Sequence, residues 1–494
     1  MLRKIRITLA TVVMVLITLL LLDFSGTLHH YLGWLSEIQL IPALLSLNLV
    51  IVAALVILTL VFGRIYCSVI CPLGIMQDLF SWVAGKRKKN RFTYSPERRV
   101  LRLILLGAFI GALAAGIHLV VALLAPYSSY GRIVTNLFQP LYIWGNNVLA
   151  KIAEHYESYA FYSVDVWMKS IITFVVASLT FIILGVLAWR NGRTYCNTIC
   201  PVGTVLGYLA KFSLLKVNID ENRCTSCGLC ARNCKASCID SKNHKVDYSR
   251  CVTCGNCISR CNTGALKYGI SRKKSEDKAS PTTEPDTVRR AVMIGGAIAV
   301  ADAALAQVNK KVDGGLAKIK DKVAPERKTP LTPPGSKSAR NMANLCTACQ
   351  LCVAQCPNGV LRPSNNPSTL MQPVMSYERG YCRPECNRCS QICPTDAIRR
   401  IKHSEKSSIQ IGHAVWIKKN CLPVVFGTSC GNCARHCPSG AIQMVPLDET
   451  DDNSPFVPAV NTEKCIGCGA CEYVCPSRPF SAIYVEGHEQ HKTI

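Results

Sequence analysis

Six times along this chain, four cysteines fall close together at short, repeating intervals. Two runs, Cys224, Cys227, Cys230, Cys234 and Cys251, Cys254, Cys257, Cys261, share the spacing C-x2-C-x2-C-x3-C. The same spacing recurs at Cys346, Cys349, Cys352, Cys356 and at Cys465, Cys468, Cys471, Cys475. Wider variants stand at Cys382, Cys386, Cys389, Cys393 and at Cys421, Cys430, Cys433, Cys437. Disulfides do not need such regularity, and a chain of 494 residues is too long for a small disulfide scaffold. Short loops that wrap three thiolates around one inorganic core do need it, which points to [4Fe–4S] clusters, one per run and about six in all. Zinc sites use paired cysteines rather than runs of four.

In two-cluster ferredoxins, three cysteines of a run bind one cluster and the fourth binds the other. That rule assigns Cys224, Cys227, Cys230 and Cys261 to one cluster, and Cys251, Cys254, Cys257 and Cys234 to its neighbour. Lys235 and Asn262 replace the proline that usually follows the fourth cysteine, whereas Pro357, Pro394, Pro438 and Pro476 keep it in the later runs. The formal charge is +25 with thiols counted as neutral. A four-thiolate cluster carries about −2, so six would leave roughly +13. No nucleic-acid fold signature, no Cys-x-x-Cys-His for covalent c-type haem and no Gly-x-Gly-x-x-Gly nucleotide motif is present.

The first part of the chain is apolar. The stretches Ile7–Leu22, Ile38–Phe62, Leu103–Ala125 and Ser170–Trp189 are nearly free of charge and predict four membrane helices. Basic residues cluster before the first (Arg3, Lys4, Arg6), between the second and third (Lys86 to Arg99), and after the fourth (Arg190, Arg193). Segments 23–37 and 126–169 are poor in them, so the N-terminus, 63–102 and the chain after 190 are expected in the cytoplasm. A repeat lies within this part. Gly63-Arg64-Ile65-Tyr66-Cys67 leads to Cys71-Pro72-Leu73-Gly74, and Gly192-Arg193-Thr194-Tyr195-Cys196 leads to Cys200-Pro201-Val202-Gly203. The base therefore reads as a duplicated helical hairpin. The thiols of Cys67, Cys71, Cys196 and Cys200 are suited to a soft metal, to redox disulfides or to a place beside a quinone. Cys238 is left over and is expected to be a buried spare thiol. His29, His30, Glu37 and His118 lie in or near the apolar part and are candidates for quinol proton transfer.

Residues 1–270 resemble the NapH membrane ferredoxins: four spans, twin C-x3-C-P motifs and a cytoplasmic two-cluster domain. Residues 289–494 resemble the NapG/MauM four-cluster ferredoxins, through Arg289-Arg290 before an apolar run, Leu331-Thr332-Pro333-Pro334-Gly335 and the four later runs. The resemblance implies a fusion of the two, an α-helical membrane domain carrying α+β ferredoxin-like polyferredoxin modules. Its expected parts are a four-helix base with the twin motifs (1–215), a two-cluster domain (216–270), a linker (271–340) and a four-cluster domain (341–494). It also implies that outer runs exchange fourth ligands with each other, as do inner runs. Cys475 would join Cys346, Cys349 and Cys352, and Cys356 would join Cys465, Cys468 and Cys471. Cys437 would join Cys382, Cys386 and Cys389, and Cys393 would join Cys421, Cys430 and Cys433.

Within the linker, Arg289-Arg290 and 291–306 resemble a twin-arginine export segment or a fifth span, which places 341–494 in the periplasm and the whole chain at a bacterial inner membrane. The expected activity is electron transfer, as a quinol dehydrogenase subunit, from the membrane quinol pool to a periplasmic reductase or cytochrome. Two other readings stay open. The twin motif also occurs in the copper-handling assembly factor CcoG and in the regulator NosR. A cytoplasmic scaffold polyferredoxin would keep all clusters on one side.

Overall fold

A computed structural model describes residues 2–87, 92–158, 160–270, 321–451 and 454–494. The twin-arginine segment and the apolar run 291–306 lie outside the described residues.

The N-terminal part is helical. Leu2–Leu22 and Ile171–Asn191 are each 21 residues long and apolar enough to cross a membrane. The other two expected spans are broken. Ile38–Phe62 resolves into Leu40–Leu45 and Leu49–Phe62. Leu47 turns the chain at positive φ, and the Asn48 side chain accepts from the Ile51 amide to start the second piece. Leu103–Ala125 breaks at Gly116, whose left-handed conformation ends the helix Arg99–Ala115 before His118–Leu124 begins. The segment 126–169, expected as a loop, contains a buried helix, Pro126–Ile133, and a second one, Gln139–His155.

Each repeat folds alike. Tyr66–Ile70 and Tyr195–Ile199 form single π-helical turns, the type of local widening found often at functional sites. Pro72 and Pro201 then open α-helices, at the position where a missing amide hydrogen costs nothing. The glycine two residues later is a packing requirement. A Cβ on Gly74 would stand 2.3 Å from the Cys67 carbonyl oxygen, and one on Gly203 would stand 2.0 Å from that of Cys196. Each helix thus lies directly on its own π turn.

Residues 215–270 form a small α+β unit. Leu215–Ile219 pairs antiparallel with Leu266–Ile270, closing the two ends of the unit on each other, and Ile239–Asp240 pairs with Lys245–Val246. Among the described residues, the C-terminal module holds three two-stranded antiparallel sheets: Leu361–Pro363 with Pro373–Met375, Ile409–Trp416 with Ile483–Thr493, and Ile442–Pro446 with Phe456–Val460.

The base lies between these two modules. At one end, Arg3 packs beside Gly255, the Phe62 carbonyl accepts from Thr253 and Tyr268, Arg102 donates to Ser249, and the Arg193 amide donates to the Lys235 carbonyl. At the other end, Gln355 donates to the Leu20 carbonyl, Ser170 to Asn365, His118 bonds Asn344, and residues 46–48 share a cleft with Asn341 and Arg399. The first group of partners is in the two-cluster unit, the second in the C-terminal module. A helix of 21 residues is about 31 Å long, the thickness of a bilayer's hydrocarbon core.

Candidate metal centres

The backbone around each run turns by residues at positive φ, among them Ser226, Gly228, Thr253, Gly255, Ala348, Gln350, Gly467 and Gly469, so that a short loop curls around one point. In the two-cluster unit, Cys251, Cys254 and Cys257 line a small cavity together with Cys234 from the preceding run. This is the exchange expected there. Cys230 is electrostatically coupled to Cys224 and Cys227. Cys261 is half-buried, with its Sγ 3.5 Å from Thr263 Oγ1. Cys238 is buried but not isolated. Its Sγ is 3.5 Å from that of Cys234, it bonds Cys251, and it lines the same cavity. Spacing could not point to this, because Cys238 belongs to no run.

In the C-terminal module the expected exchange is overturned. Cys421, Cys430 and Cys433 line a cavity with Cys475, not with Cys393. Cys465 and Cys468 are coupled to Cys437. Cys349 and Cys352 are coupled to Cys393, and Cys382 and Cys389 to Cys356. Successive runs therefore trade their fourth cysteines, first with second and third with fourth. The physical reason is local closure. One hairpin, Leu361–Met375, lies between the first two runs and another, Ile442–Val460, between the last two, and closing a short loop costs less entropy than closing a long one.

The four groups also fall in order. Cys352 is coupled to Cys389, Cys468 to Cys382, and Cys471 to Cys433, so the groups form a file from the Cys349 group to the Cys421 group. Amide hydrogens of Ile398, Ala441 and Ala482 point at Cys393, Cys437 and Cys475 from 3.4, 3.3 and 3.2 Å. The buried Lys406 ammonium donates to Cys382 Sγ at 3.2 Å. Such donors stabilise thiolate and tune a cluster's potential. Burial pushes the thiols of Cys349 and Cys468 up to about 12, so the anionic form that a ligand must adopt depends on a positive core.

The twin motifs bring Cys67, Cys71, Cys196 and Cys200 together in the base, all of them buried. Cys71 is coupled to Cys67 and Cys196, and Cys200 to the other three. The repeat's arginines cross over. Arg64 donates to the Cys196 carbonyl at 3.0 Å, and Arg193 to the Cys67 carbonyl at 2.5 Å. Asp78 anchors one side, held by Arg6 at 2.8 Å, Arg193 at 2.8 Å and Lys235 at 3.5 Å. Among the described residues, no three His, Cys, Asp or Glu side chains are gathered closely enough to hold a single metal ion.

The residues expected to serve quinol chemistry lie elsewhere. His29 bonds the Gln391 carbonyl, Glu37 pairs with Arg400, His118 bonds Asn344, and His30 meets Tyr31 edge to face. A cleft of about 1060 Å³ opens instead between the helices Leu2–Leu22 and Pro72–Arg87. Ala10, Met14, Leu79 and Trp82 line its apolar part, and its polar end reaches Asn256, between Cys254 and Cys257.

Comparison with known proteins agrees on the cofactor. A 4Fe-4S binding domain matches residues 46–90 and 172–220, each match taking in one twin motif. Three 4Fe-4S dicluster domains match residues 247–360, 345–407 and 428–478, and the last two each enclose cysteines of two successive runs. The methylamine utilization ferredoxin-type protein MauM of Paracoccus denitrificans is 31% identical over 185 residues, 36% of this chain and 81% of its own. MauM of Methylobacillus flagellatus is 29% identical over 33% of this chain and 70% of its own. The ferredoxin-type protein NapG of Escherichia coli is 30% identical over 29% of this chain and 65% of its own. No solved structure matches. With several 4Fe–4S domains and this degree of likeness, the chain belongs to the MauM family of ferredoxin-type proteins.

Proposed function

We propose that the chain is a membrane-bound electron conduit, a fusion of NapH-type and NapG-type halves, that takes electrons from a quinol and delivers them to a periplasmic reductase or cytochrome. Its soluble modules hold six [4Fe–4S] clusters. Two are in 216–270, on Cys224, Cys227, Cys230 and Cys261, and on Cys251, Cys254, Cys257 and Cys234. Four are in 341–494, with fourth ligands exchanged between successive runs. The helical base crosses the inner membrane, with 216–270 in the cytoplasm and 341–494 in the periplasm.

The observation that carries this reading is the position of the base, whose helices run from one ferredoxin module to the other over about the thickness of a bilayer core. The distribution of charge supports it. Arg3, Lys4, Arg6, Lys86, Arg87, Arg98 and Arg99 belong to the end that meets the two-cluster unit. The quinol site is the cleft between Leu2–Leu22 and Pro72–Arg87. Its apolar wall suits an isoprenoid tail, and its polar end touches the Cys254–Cys257 loop. A quinol surrenders two electrons and two protons there, and the electrons leave one at a time through clusters.

The test uses the full chain in liposomes. A quinol analogue should bleach the clusters, and Ala10→Trp, which obstructs the cleft at its apolar wall, should slow that step without changing reduction by dithionite. Protein with all clusters intact that no quinol analogue reduces would exclude the donor. A C-terminal reporter active only in the cytoplasm would exclude the crossing.

A further inference from the structure

We infer that two cations of the helical base, Arg132 and Lys169, belong to the cluster sites of the C-terminal module and raise the potentials of its first two clusters. The first site is that of Cys346, Cys349, Cys352 and Cys393. The second is that of Cys382, Cys386, Cys389 and Cys356. Base and module touch at the first ligand loop. A Cβ on Gly131 would stand 2.4 Å from the Cys349 carbonyl oxygen, so the helix Pro126–Ile133 lies directly on that loop. The loop's peptides are sorted by direction. Amides of Ala348 and Leu351 point at the sulfurs of Cys346 and Cys349. Carbonyls face the base: Ala348 accepts from Arg132 Nη1 at 3.5 Å, Val353 from Lys169 Nζ at 3.0 Å, and Ala354 from Gln139 Nε2 at 3.2 Å.

Among the described residues, neither cation meets a carboxylate. Arg132 is 1% exposed, its other partner is Ser129 Oγ at 3.2 Å, and its Nε is buried without a partner. Lys169 is half-buried, and its other partner is Gln139 Oε1 at 3.3 Å. The groups coupled to Arg132 are Tyr195 and Cys349, and those coupled to Lys169 are Cys356 and then Cys352. Docking alone does not call for cations here. A neutral donor satisfies a carbonyl, as Gln139 does for Ala354, without the desolvation cost of a charge. Four-thiolate clusters, each carrying about −2, supply the counter-charge.

Reduction adds a further negative charge to a cluster, and a fixed cation in a poorly solvated interface favours the reduced form. Arg132 reaches the first site. Lys169 stands between the first and the second, because Cys352 and Cys356 belong to different sites. The purpose of this arrangement rests on the conduit reading. Electrons leaving the base enter the module where the base itself has made the potential more positive, and Lys169 draws them on to the second cluster.

The test is a mediated redox titration of the purified full chain, followed by electron paramagnetic resonance, with iron counted in parallel. The two signals are identified beforehand by Cys349→Ser and Cys386→Ser, one from each site. Lys169→Met should lower the midpoints of both clusters, more at the second, and Lys169→Arg should restore them. Arg132→Gln should lower the first alone. The remaining clusters should not move, which also reports that each variant has folded. If Arg132→Gln loses iron, the two Lys169 variants decide. Unchanged midpoints in Lys169→Met with iron retained overturn the inference, as does an equal shift of every cluster. Because mediators and dithionite replace the natural donor, midpoints that fall as expected in protein that quinol cannot reduce would keep the cations and remove the quinol reading instead.

Discussion

Replacing Lys406 by Met removes a charge from the second cluster site of the C-terminal module while keeping most of the side-chain volume. The ammonium is buried, 3.2 Å from Cys382 Sγ, and also donates to the carbonyls of Arg383 and Cys386. An electron added to a cluster is spread over the core, so its mean distance from Nζ is roughly 6 Å. At an effective dielectric constant of about 20, the attraction is about 3 kcal/mol, or roughly 120 mV for one electron. Water entering the vacated space would return part of this, so a fall of roughly 100 mV is expected for that cluster alone. The assay is a redox titration followed by electron paramagnetic resonance, with iron content measured in parallel. If iron is retained and no signal moves, the lysine does not act on the cluster electrostatically and the reasoning fails.

Other outcomes follow from packing and charge. Gly203→Ala sets a Cβ 2.0 Å from a backbone oxygen, so it should destabilise the base by about 3 kcal/mol, seen as earlier thermal loss of helicity in detergent. Arg327→Met takes two bonds, at 2.6 and 2.8 Å, from the buried Glu472, leaving its carboxylate the Val485 amide and no cation, and should cost the C-terminal module roughly 3–5 kcal/mol by denaturant titration. His491 has its pKa lowered to about 4, chiefly by burial and also by His488. It is therefore neutral in the fold, and its contribution is complete above pH 6.5 and lost as pH falls from 6.5 towards 4. The loss should approach roughly 3 kcal/mol at most, and His491→Gln should flatten that part of the stability profile.

Much of the site could be read from the sequence, because cluster ligands are fixed by chemistry and spacing. The runs at Cys224, Cys251, Cys346 and Cys465 have few alternative meanings. Which run lends its fourth cysteine to which could not be read, since two exchanges satisfy the same spacing. The hairpins around Leu361 and Ile442 decide it, and their effect lies in three dimensions. Hydropathy found the apolar stretches but not the breaks at Leu47 and Gly116, where local backbone conformation interrupts an apolar run. The docking of Gln350 against Thr135 and Asn136 joins residues far apart in the chain and left no pattern to find.

The crossed arginines of the repeat have one further consequence. Arg64 reaches the π turn of the second copy and Arg193 that of the first, and each closes on the other copy's Cys-Pro-x-Gly corner. The base is in effect a dimer on one chain, and neither half owns a complete site. During synthesis, nothing can be loaded there until the second hairpin has emerged and docked. Substitutions in one copy must also be answered in its twin, and the crossing is not symmetric: Asp78 of the first copy holds Arg193, whereas Gly207 stands at the equivalent place in the second and offers Arg64 no carboxylate.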